Sequence, residues 1–218
     1  MQAFIFDMDG VIVDSEIHWK SVEGYFLSRV IPGWTEEDQG RIVGISLDNL
    51  FTMLREEYGY RGSQEQFLET YHANAHRIYT EKVELLPGFQ ARLLVLQAKG
   101  LKLALASSSP RAWIDLVLER FDLRRAFDVT VSAEEIEGEG KPSPAIYLHT
   151  ARKLGVDPAR CVVVEDSRNG VLSARAAGMY CIGLRNGFND DQDLSGANIV
   201  VDGYAGIDWP TLMALVET

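Results

Sequence analysis

The 218-residue sequence has few basic residues, few cysteines and no long apolar run. Lys and Arg total 21 against 32 Asp and Glu, which gives a formal net charge of -11. Nucleic-acid binding relies on a basic face, so this balance argues against a nucleic-acid partner. A small phosphorylated ligand needs only local positive charge and stays possible. No apolar run approaches the roughly 20 residues that cross a bilayer, so we expect no membrane partner.

The scarcity of cysteine limits the redox and metal chemistry of the chain. Cys161 and Cys181 each open a strand-like apolar run, and we expect both to be reduced and buried. Two cysteines at this spacing provide neither a disulfide framework nor a zinc site. Met1 leads directly into strand-like sequence without the segments of a signal peptide, so we expect a cytoplasmic protein. No apolar patch or heptad marks an interface, so we expect a monomer.

Short apolar runs recur along the chain and alternate with helix-like stretches in its second half. This alternation predicts an α/β fold, a Rossmann-like parallel sheet covered by helices on both faces. The strand-like runs lie at 3–6, 101–106, 161–165, 180–184 and 197–201, and the helix-like stretches at 110–120, 144–154 and 168–177. Another helix is expected to begin near Pro87, and the tail at 208–217 is predicted to close the fold as a helix.

The stretch between the first two strand-like runs lacks a strand pattern. It predicts an inserted helical cap at residues 15–85, with residues 1–14 and 86–218 forming the α/β core. Its helices are expected near 16–29, 46–58 and 64–82. The cap would part from the core to admit a ligand and close over it, with hinges near 13–16 and 83–88.

Polar side chains follow several of the predicted strands at the point where each strand ends. Asp7 and Asp9 follow the first run, Ser107 ends the second, and Glu165 with Asp166 ends the third. In open parallel sheets, ligands bind beyond the carboxyl ends of the strands. Paired carboxylates there indicate a divalent cation, an acid/base pair or both, although an isolated pair is more often a solvated turn. Oxygen ligands suit Mg²⁺, which would offset the repulsion between the two aspartates.

The stretch "EEIEGEGK" at 134–141 predicts a flexible loop that delivers Lys141. Its "GEGKPS" invites a second interpretation as a nucleotide-phosphate loop. That motif needs a glycine at the position of Glu135 and Ser or Thr at the position of Pro142, so we exclude it.

Four stretches together carry a resemblance to a known family. "DMDGVIVDSE", "ALASSS", "GKPSP" and "VVVEDSRNG" resemble, in order, the four motifs of the haloacid dehalogenase superfamily. They are most similar to its phosphatase and phosphoglucomutase-like branch, which has a helical cap. The likeness spans residues 4 to about 187. It implies an enzyme that acts on small phosphorylated metabolites with the help of Mg²⁺.

The resemblance also implies roles for individual residues. Asp7 would be the nucleophile that forms an aspartyl-phosphate, and Asp9 the general acid/base. Ser107 would hold a phosphoryl oxygen, helped by backbone N–H groups near Ser108, and Lys141 would balance the negative charge. Taken alone, Ser107 is a helix cap and Lys141 a surface lysine. The expected metal ligands are Asp7, Asp9, Glu165 and Asp166, with Glu165 acting directly or through water.

Other residues are expected to contact the substrate. Trp19 either stacks on a sugar ring or packs inside the cap, and Ser46 with Gly44 forms either a substrate loop or a helix cap. His72 and His76 share a helix face, but the glutamate of the metalloprotease motif is missing between them, so we do not favour zinc. The full set of expected substrate-binding residues is Gly10, Trp19, Gly44, Ser46, Ser108, Ser109 and Arg111.

The resemblance leaves the reaction open between hydrolysis and phosphoryl transfer within a sugar. Asp9 favours phosphoryl chemistry over carbon–halogen cleavage. Phosphonate cleavage would need a cap lysine, and neither Lys20 nor Lys82 lies in a recognisable context for that role. A non-catalytic binding module on the same fold is a lower alternative, because no motif is lost.

Two positions favour a phosphatase of sugar phosphates over a sugar phosphomutase. The mutase has a cap histidine at the position of Trp19, whereas His18 lies one residue early, a rotation of about 100° on a helix. The mutase also has an arginine where this chain has Leu47. The mutase stays open because Arg41 and Arg111 could bind a second phosphate.

Overall fold

The computed structural model describes residues 1–42, 45–138, 140–208 and 212. Its centre is a six-stranded sheet with the strand order β3-β2-β1-β4-β5-β6, in which neighbouring strands pair in parallel. The strands are β1 (Ala3–Phe6), β2 (Lys102–Ser107), β3 (Val129–Ser132), β4 (Cys161–Glu165), β5 (Tyr180–Arg185) and β6 (Ile199–Asp202). The predicted α/β class with a parallel sheet is confirmed.

The apolar runs become central strands because both of their faces are buried. In β1, Phe4 and Phe6 pack into one hydrophobic cluster, whereas Ala3 and Ile5 pack into another on the opposite face. This division follows from the two-residue period of a strand. Cys161 and Cys181, on β4 and β5, are buried and unpaired, as the sequence predicts.

Helices cover both faces of the sheet. The helices are α1 (Ser15–Val30), α2 (Glu36–Arg41), α3 (Leu47–Glu56), α4 (Gln64–Arg77), α5 (Phe89–Ala98), α6 (Arg111–Arg120), α7 (Ala145–Leu154) and α8 (Arg168–Ala176). Helices α5 and α6 pack on the face of Phe4 and Phe6, and α7 and α8 on the face of Ala3 and Ile5. None of the helices in the described part of the chain has the length and apolar character needed to cross a bilayer.

Helices α1 to α4 form the insertion between β1 and α5, and a π-helical segment (Ile78–Lys82) continues α4. The two chain segments that connect the insertion to the sheet lie side by side. The Asp14 amide donates to the Glu84 carbonyl at 3.1 Å, and the Leu86 amide donates to the Ile12 carbonyl at 2.9 Å. Asp14, Glu84 and Leu86 lie inside the predicted hinges, and Ile12 lies just before the first of them. The domain bounds and the hinge motion stay predictions.

The structure adds two elements that the sequence pattern did not reveal. Strand β3 is four residues long and lies at the sheet edge, where Val129 and Thr130 are only half-buried, so it lacks an apolar run. Helix α2 is six residues long and polar, and its start is fixed by a capping box between Thr35 and Asp38.

Two other sequence predictions differ from the structure or fall outside it. Part of the predicted flexible loop is a 3-10 turn (Ala133–Glu135), in which Glu135 pairs with Arg111 and Lys153. Almost all of the predicted closing helix at 208–217 lies outside the described residues.

Candidate active site at the carboxyl edge of the sheet

Three adjacent strands bring their polar ends together at one edge of the sheet. Asp7 follows β1, Ser107 ends β2, and Glu165 ends β4, and these strands are neighbours. Lys141, from the loop before α7, lies between two of them. Its Nζ atom is 2.6 Å from Asp7 Oδ1 and 2.5 Å from Glu165 Oε1. The sequence predicted this convergence from where the apolar runs end.

Burial sets the electrostatics of this group. Desolvation raises the pKa of Asp7 to about 8, against the opposing effect of Lys141, while Glu165 and Asp9 add to the rise. Burial disfavours the charged form of Lys141, but the two carboxylates outweigh it and raise the pKa of the ammonium above its usual value. The Lys141 ammonium therefore stays charged between Asp7 and Glu165 at neutral pH.

The carboxylates of Asp7, Glu165 and Asp166 fit a hard divalent cation. Each offers an oxygen, and these oxygens lie within 4.8 Å of one another. The backbone gives them room, because a Cβ at Gly10 would lie 1.9 Å from Asp166 Oδ2 and one at Gly170 would lie 1.9 Å from Glu165 Oε1. Burial also raises the pKa of Asp166 well above its usual range, with nearby carboxylates adding to the rise. A set of oxygen donors with this uncompensated charge suits Mg²⁺.

Glu165 is the most extensively hydrogen-bonded of the three carboxylates. Its Oε1 accepts from Lys141 and from the Tyr147 hydroxyl, each at 2.5 Å. Its Oε2 accepts from the Asp166 and Ser167 amides and from Ser167 Oγ, at 3.1, 3.4 and 3.2 Å. These bonds occupy both oxygens and fix the carboxylate against the first turn of α8. This arrangement favours an indirect role for Glu165 at a metal.

The Asp9 carboxylate is bonded to residues of both the core and the insertion. It accepts hydrogen bonds from Ser15 Oγ at 2.6 Å, from the Tyr79 hydroxyl at 2.6 Å and from Ser109 Oγ at 2.8 Å. Trp19 Nε1 donates in turn to the Tyr79 oxygen at 3.0 Å. Donors from core and cap thus hold Asp9 over the cavity, outside the cluster of three carboxylates.

A cavity between core and cap opens above these groups, and aromatic rings form part of its wall. Trp19 lies between two rings, with its centroid 5.6 Å from that of Tyr71 and 5.0 Å from that of Trp113. Trp113, on core helix α6, donates from Nε1 to His72 Nδ1 at 2.9 Å. Trp19 therefore packs among aromatic rings, which agrees with the second of its two expected roles, and it also lines the cavity. The bond to Trp113 occupies one ring nitrogen of His72, which leaves a zinc role unsupported.

The cap contributes two carboxylates that the sequence reasoning missed. Glu16 and Glu23 line the cavity together with Trp19. The three residues are spaced i, i+3 and i+7 on α1, so they share one helix face, and this spacing is a signal that could have found them. Burial raises the pKa of Glu23 to about 7, although the hydrogen bond from Gln39 and the nearby Tyr71 hydroxyl oppose the rise.

The three serines after β2 lie at the cavity. Ser107 is buried, and its Oγ accepts a hydrogen bond from the Ser109 amide at 3.0 Å. Ser108 and Ser109 line the cavity beside it. Ser46 caps α3 by accepting from the Asn49 amide at 3.5 Å and lines a neighbouring cavity, whereas Gly44 lies outside the described residues.

The two arginines considered for a second phosphate are occupied elsewhere. The Arg111 guanidinium donates to the Thr130 side chain and carbonyl at 2.8 and 2.9 Å and also pairs with Glu135. The Arg41 guanidinium donates to Tyr58 and Glu57, each at 2.6 Å, on the exposed side of the cap. Neither lines the cavity that holds Asp7, whereas Leu47 does.

Comparison with known proteins gives one consistent picture. A family described as haloacid dehalogenase-like hydrolase matches residues 4–184. A phosphorylated carbohydrates phosphatase of Thermotoga maritima is 36% identical over 92% of this chain and 93% of that protein. Hexitol phosphatase B of Escherichia coli is 36% identical over 83% of this chain and 82% of that protein. The solved structure of a β-phosphoglucomutase from Clostridium difficile is 25% identical in sequence. It has a TM-score of 0.80 and covers 98% of this chain and 96% of that protein.

Proposed function

Because this chain belongs to the haloacid dehalogenase-like hydrolase family, we propose that it is a magnesium-dependent phosphatase of small phosphorylated metabolites, in particular sugar phosphates. One observation carries the proposal. Lys141 lies between Asp7 and Glu165, with Asp166 in the same cluster, while Asp9 is held separately above the same cavity. This arrangement supplies a nucleophile, its counter-ion and an independent acid/base group.

In the first step, a carboxylate oxygen of Asp7 attacks the phosphorus atom of the ester. The bond from phosphorus to the substrate oxygen breaks, and protonated Asp9 gives its proton to that leaving oxygen. The products are an aspartyl-phosphate on Asp7, a free alcohol and ionised Asp9. Ser107 Oγ already accepts from the Ser109 amide, so its own proton is available for a phosphoryl oxygen.

In the second step, a water molecule attacks the phosphorus of the aspartyl-phosphate. Asp9 takes a proton from that water, and the bond between phosphorus and the Asp7 oxygen breaks. Inorganic phosphate leaves, and both aspartates return to their starting states. The hydrogen bonds from Ser15, Tyr79 and Ser109 hold the Asp9 carboxylate in place for both proton transfers.

The cation site would be formed by Asp7 and Asp166, with Glu165 beside them. A bound Mg²⁺ would supply positive charge that offsets the buried carboxylates and attracts a phosphate dianion. Lys141 contributes the protein's own positive charge at the same place, 2.6 Å from the attacking carboxylate.

Three features support hydrolysis over transfer within a sugar. Leu47 lines the cavity where the resemblance to the mutase requires an arginine. The guanidinium groups of Arg41 and Arg111, the two candidates for replacing it, are bonded elsewhere. Trp19 lines the cavity at the position of the mutase histidine.

The second candidate is a sugar phosphomutase of the β-phosphoglucomutase type. Its support is the structural likeness to a β-phosphoglucomutase over 98% of this chain. In that case the phosphoryl group on Asp7 would pass to a second hydroxyl of the sugar instead of to water.

The test is phosphate release from a panel of sugar phosphates, with Mg²⁺ and with a chelator. Conversion of β-glucose 1-phosphate to glucose 6-phosphate is followed in parallel. The phosphatase predicts magnesium-dependent release that is lost in Asp7→Asn. Conversion without release would show the mutase, and no reaction with any ester would indicate a binding module on the same fold.

A further inference from the structure

We propose that Glu23 and Tyr71 form a hydroxyl-binding subsite at the cap end of the cavity. This subsite selects phosphate monoesters whose remaining part is an uncharged polyol, and it excludes those that carry a second anionic group. The inference rests on the proposed phosphatase function and names the substrate class for the same cavity.

The first observation is a buried hydroxyl without a hydrogen bond. Tyr71 is 3% exposed and lines the cavity, yet its hydroxyl has no hydrogen-bond partner of normal geometry among the residues that the structure describes. The ring is held in place by Trp19 and by Phe67, whose centroid lies 4.5 Å away. Buried polar groups are nearly always hydrogen-bonded, so a ligand is expected to supply the missing partner.

The second observation is a carboxylate whose orientation is fixed. Gln39 Nε2 donates to Glu23 Oε2 at 2.7 Å, and Trp34 Nε1 donates to Gln39 Oε1 at 3.1 Å. The indole N–H can only donate, so it fixes the oxygen of Gln39 toward Trp34 and its NH₂ group toward Glu23. Glu23 is thereby held as an acceptor at the cavity wall.

The two groups together match one ligand chemistry. The Tyr71 hydroxyl interacts with Glu23 closely enough to affect the ionisation of both, but it does not complete a hydrogen bond of normal geometry. A ligand hydroxyl can accept a proton from Tyr71 and donate its own proton to Glu23 at the same time. Neighbouring hydroxyls along a polyol chain or sugar ring supply such groups.

The third observation is the charge of the cavity wall. In the described part of the chain, Lys141 is the one cationic side chain that lines it, and it is already paired with Asp7 and Glu165. The acidic side chains that line it are Asp7, Asp9, Glu16, Glu23 and Asp166. The phosphate is expected to lie beside Lys141, so a second phosphate or a carboxylate would face Glu16 and Glu23 without a partner. An anion that loses its water there without a cationic partner is disfavoured, which gives specificity against such esters.

The test compares substrates that differ in the part of the molecule distant from the phosphate. Glucitol 6-phosphate is the neutral polyol, 6-phosphogluconate its carboxylated counterpart, and glucosamine 6-phosphate a cationic analogue. Acetyl phosphate serves as a substrate without a polyol. We expect kcat/KM for glucitol 6-phosphate to exceed that for 6-phosphogluconate by about 10²-fold, because unpaired charge at a specific site is strongly discriminated against.

Two conservative variants locate the effect. Tyr71→Phe and Glu23→Gln should each lower kcat/KM for glucitol 6-phosphate about tenfold, mainly through KM, because each removes one hydrogen bond. Their kcat/KM for acetyl phosphate, which has no polyol to bind, should fall less than that for glucitol 6-phosphate. Tyr25→Phe and Glu65→Gln, at exposed positions on the cap helices, are matched controls that should behave like the wild type.

Binding calorimetry with the Asp7→Asn protein repeats the comparison without turnover, so a failure of the phosphatase reaction does not hide the result. We expect glucitol 6-phosphate to bind at least tenfold more tightly than 6-phosphogluconate. Equal binding of the two would overturn the inference. Equal losses of kcat/KM on acetyl phosphate and glucitol 6-phosphate in the two variants would also overturn it. So would a preference for glucosamine 6-phosphate that Glu23→Gln removes, because such a preference marks a cation site.

Discussion

The two walls of the cavity differ in how completely they satisfy their own polar groups. The core wall is the side of the cavity formed by the α/β core, and there Lys141 pairs with both Asp7 and Glu165. The cap wall is the side of the cavity formed by the helical insertion. There Glu23 receives one hydrogen bond from Gln39, and the Tyr71 hydroxyl has no hydrogen-bond partner of normal geometry among the described residues. A wall that is already paired can keep the same geometry for every substrate. A wall with unused donors and acceptors is available to distinguish one substrate from another.

Two side chains connect the walls. Tyr79, from the π-helical segment of the insertion, donates to Asp9 of the core, and core residue Trp113 stacks on cap residue Trp19. Asp9, the proposed acid/base group, is thus held directly by the cap. If the core wall performs the chemistry and the cap wall selects the substrate, substitutions in each should have separable effects.

The largest effect is expected from Lys141→Met, which removes the only cation from the core wall as the structure describes it. The change leaves Asp7 and Glu165 buried without a partner, so the free energy of unfolding should fall by about 3–5 kcal/mol. Phosphate release should also fall by at least about 10²-fold, because charge stabilisation is lost. Urea unfolding and phosphate release measure the two effects.

Lys153→Met is the matched control for this substitution. Lys153 pairs with Glu135 through a side chain that is 40% exposed, so its loss should cost less than about 1 kcal/mol. Equal stability of Lys141→Met and wild type would show that the core wall does not depend on its internal pairing.

A smaller effect is expected from Gly170→Ala. Its Cβ would meet the Glu165 carboxylate, which must shift or displace the first turn of α8. We expect a loss of about 1–3 kcal/mol in stability and a higher Mg²⁺ concentration for half-maximal phosphate release. Gly24→Ala, whose nearest atom outside its own helix lies 4.0 Å away, should leave the Mg²⁺ requirement unchanged and raise stability by up to about 1 kcal/mol, because alanine favours a helix. A magnesium requirement equal to that of wild type would contradict the assignment of Glu165 to the cation site.

The cap wall should appear in the dependence of stability on pH. Burial raises the pKa of Glu23 from 4.5 to about 7 in the folded protein. Between these values the folded state holds a proton that the unfolded state has lost, so stability is lost as pH rises through this window. Because Glu23 is only half-buried, we expect a decrease of about 1–2 kcal/mol attributable to this residue.

Urea unfolding of wild type and Glu23→Gln at pH 5 and pH 7, both with chelator, measures this contribution. Glu23→Gln should lose less stability than wild type over the interval, whereas Glu65→Gln should follow the wild type. Parallel profiles for wild type and Glu23→Gln would show that the cap wall does not desolvate this carboxyl.

The smallest effect is expected at the junction of the walls. Tyr79→Phe removes one of three donors to Asp9 and the acceptor of Trp19 Nε1. We expect kcat to fall about tenfold with little change in KM, because proton transfer and not binding is disturbed. Tyr25→Phe is an exposed control. A change confined to KM would place Tyr79 with the specificity residues of the cap.

The core wall was far more accessible to sequence reasoning than the cap wall. Apolar runs end where the chain turns polar, so Asp7, Ser107 and Glu165 could be placed on one edge from local signals alone. Strand β3 was not predicted, because an edge strand needs no continuous apolar run. The role of Lys141 came from the resemblance and not from its local sequence.

The cap residues depend on how helices rotate and pack, which a single sequence specifies poorly. Glu16 and Glu23 share a face with Trp19, yet that spacing alone does not tell whether the face meets the core or water. Tyr79 contacts Asp9 from a π-helical turn that continues α4, and no residue in that stretch predicts such a turn. The core wall therefore follows from sequence pattern, and the cap wall requires tertiary contacts.

We propose that Asp7 on the core wall carries the phosphoryl group during turnover. The most direct test is to quench the enzyme with acid during hydrolysis of a sugar phosphate and to map its peptides by mass spectrometry. We expect a covalent phosphoryl group on Asp7 that is absent from Asp7→Asn. Rapid release of phosphate with no adduct, or with an adduct on another residue, would contradict it.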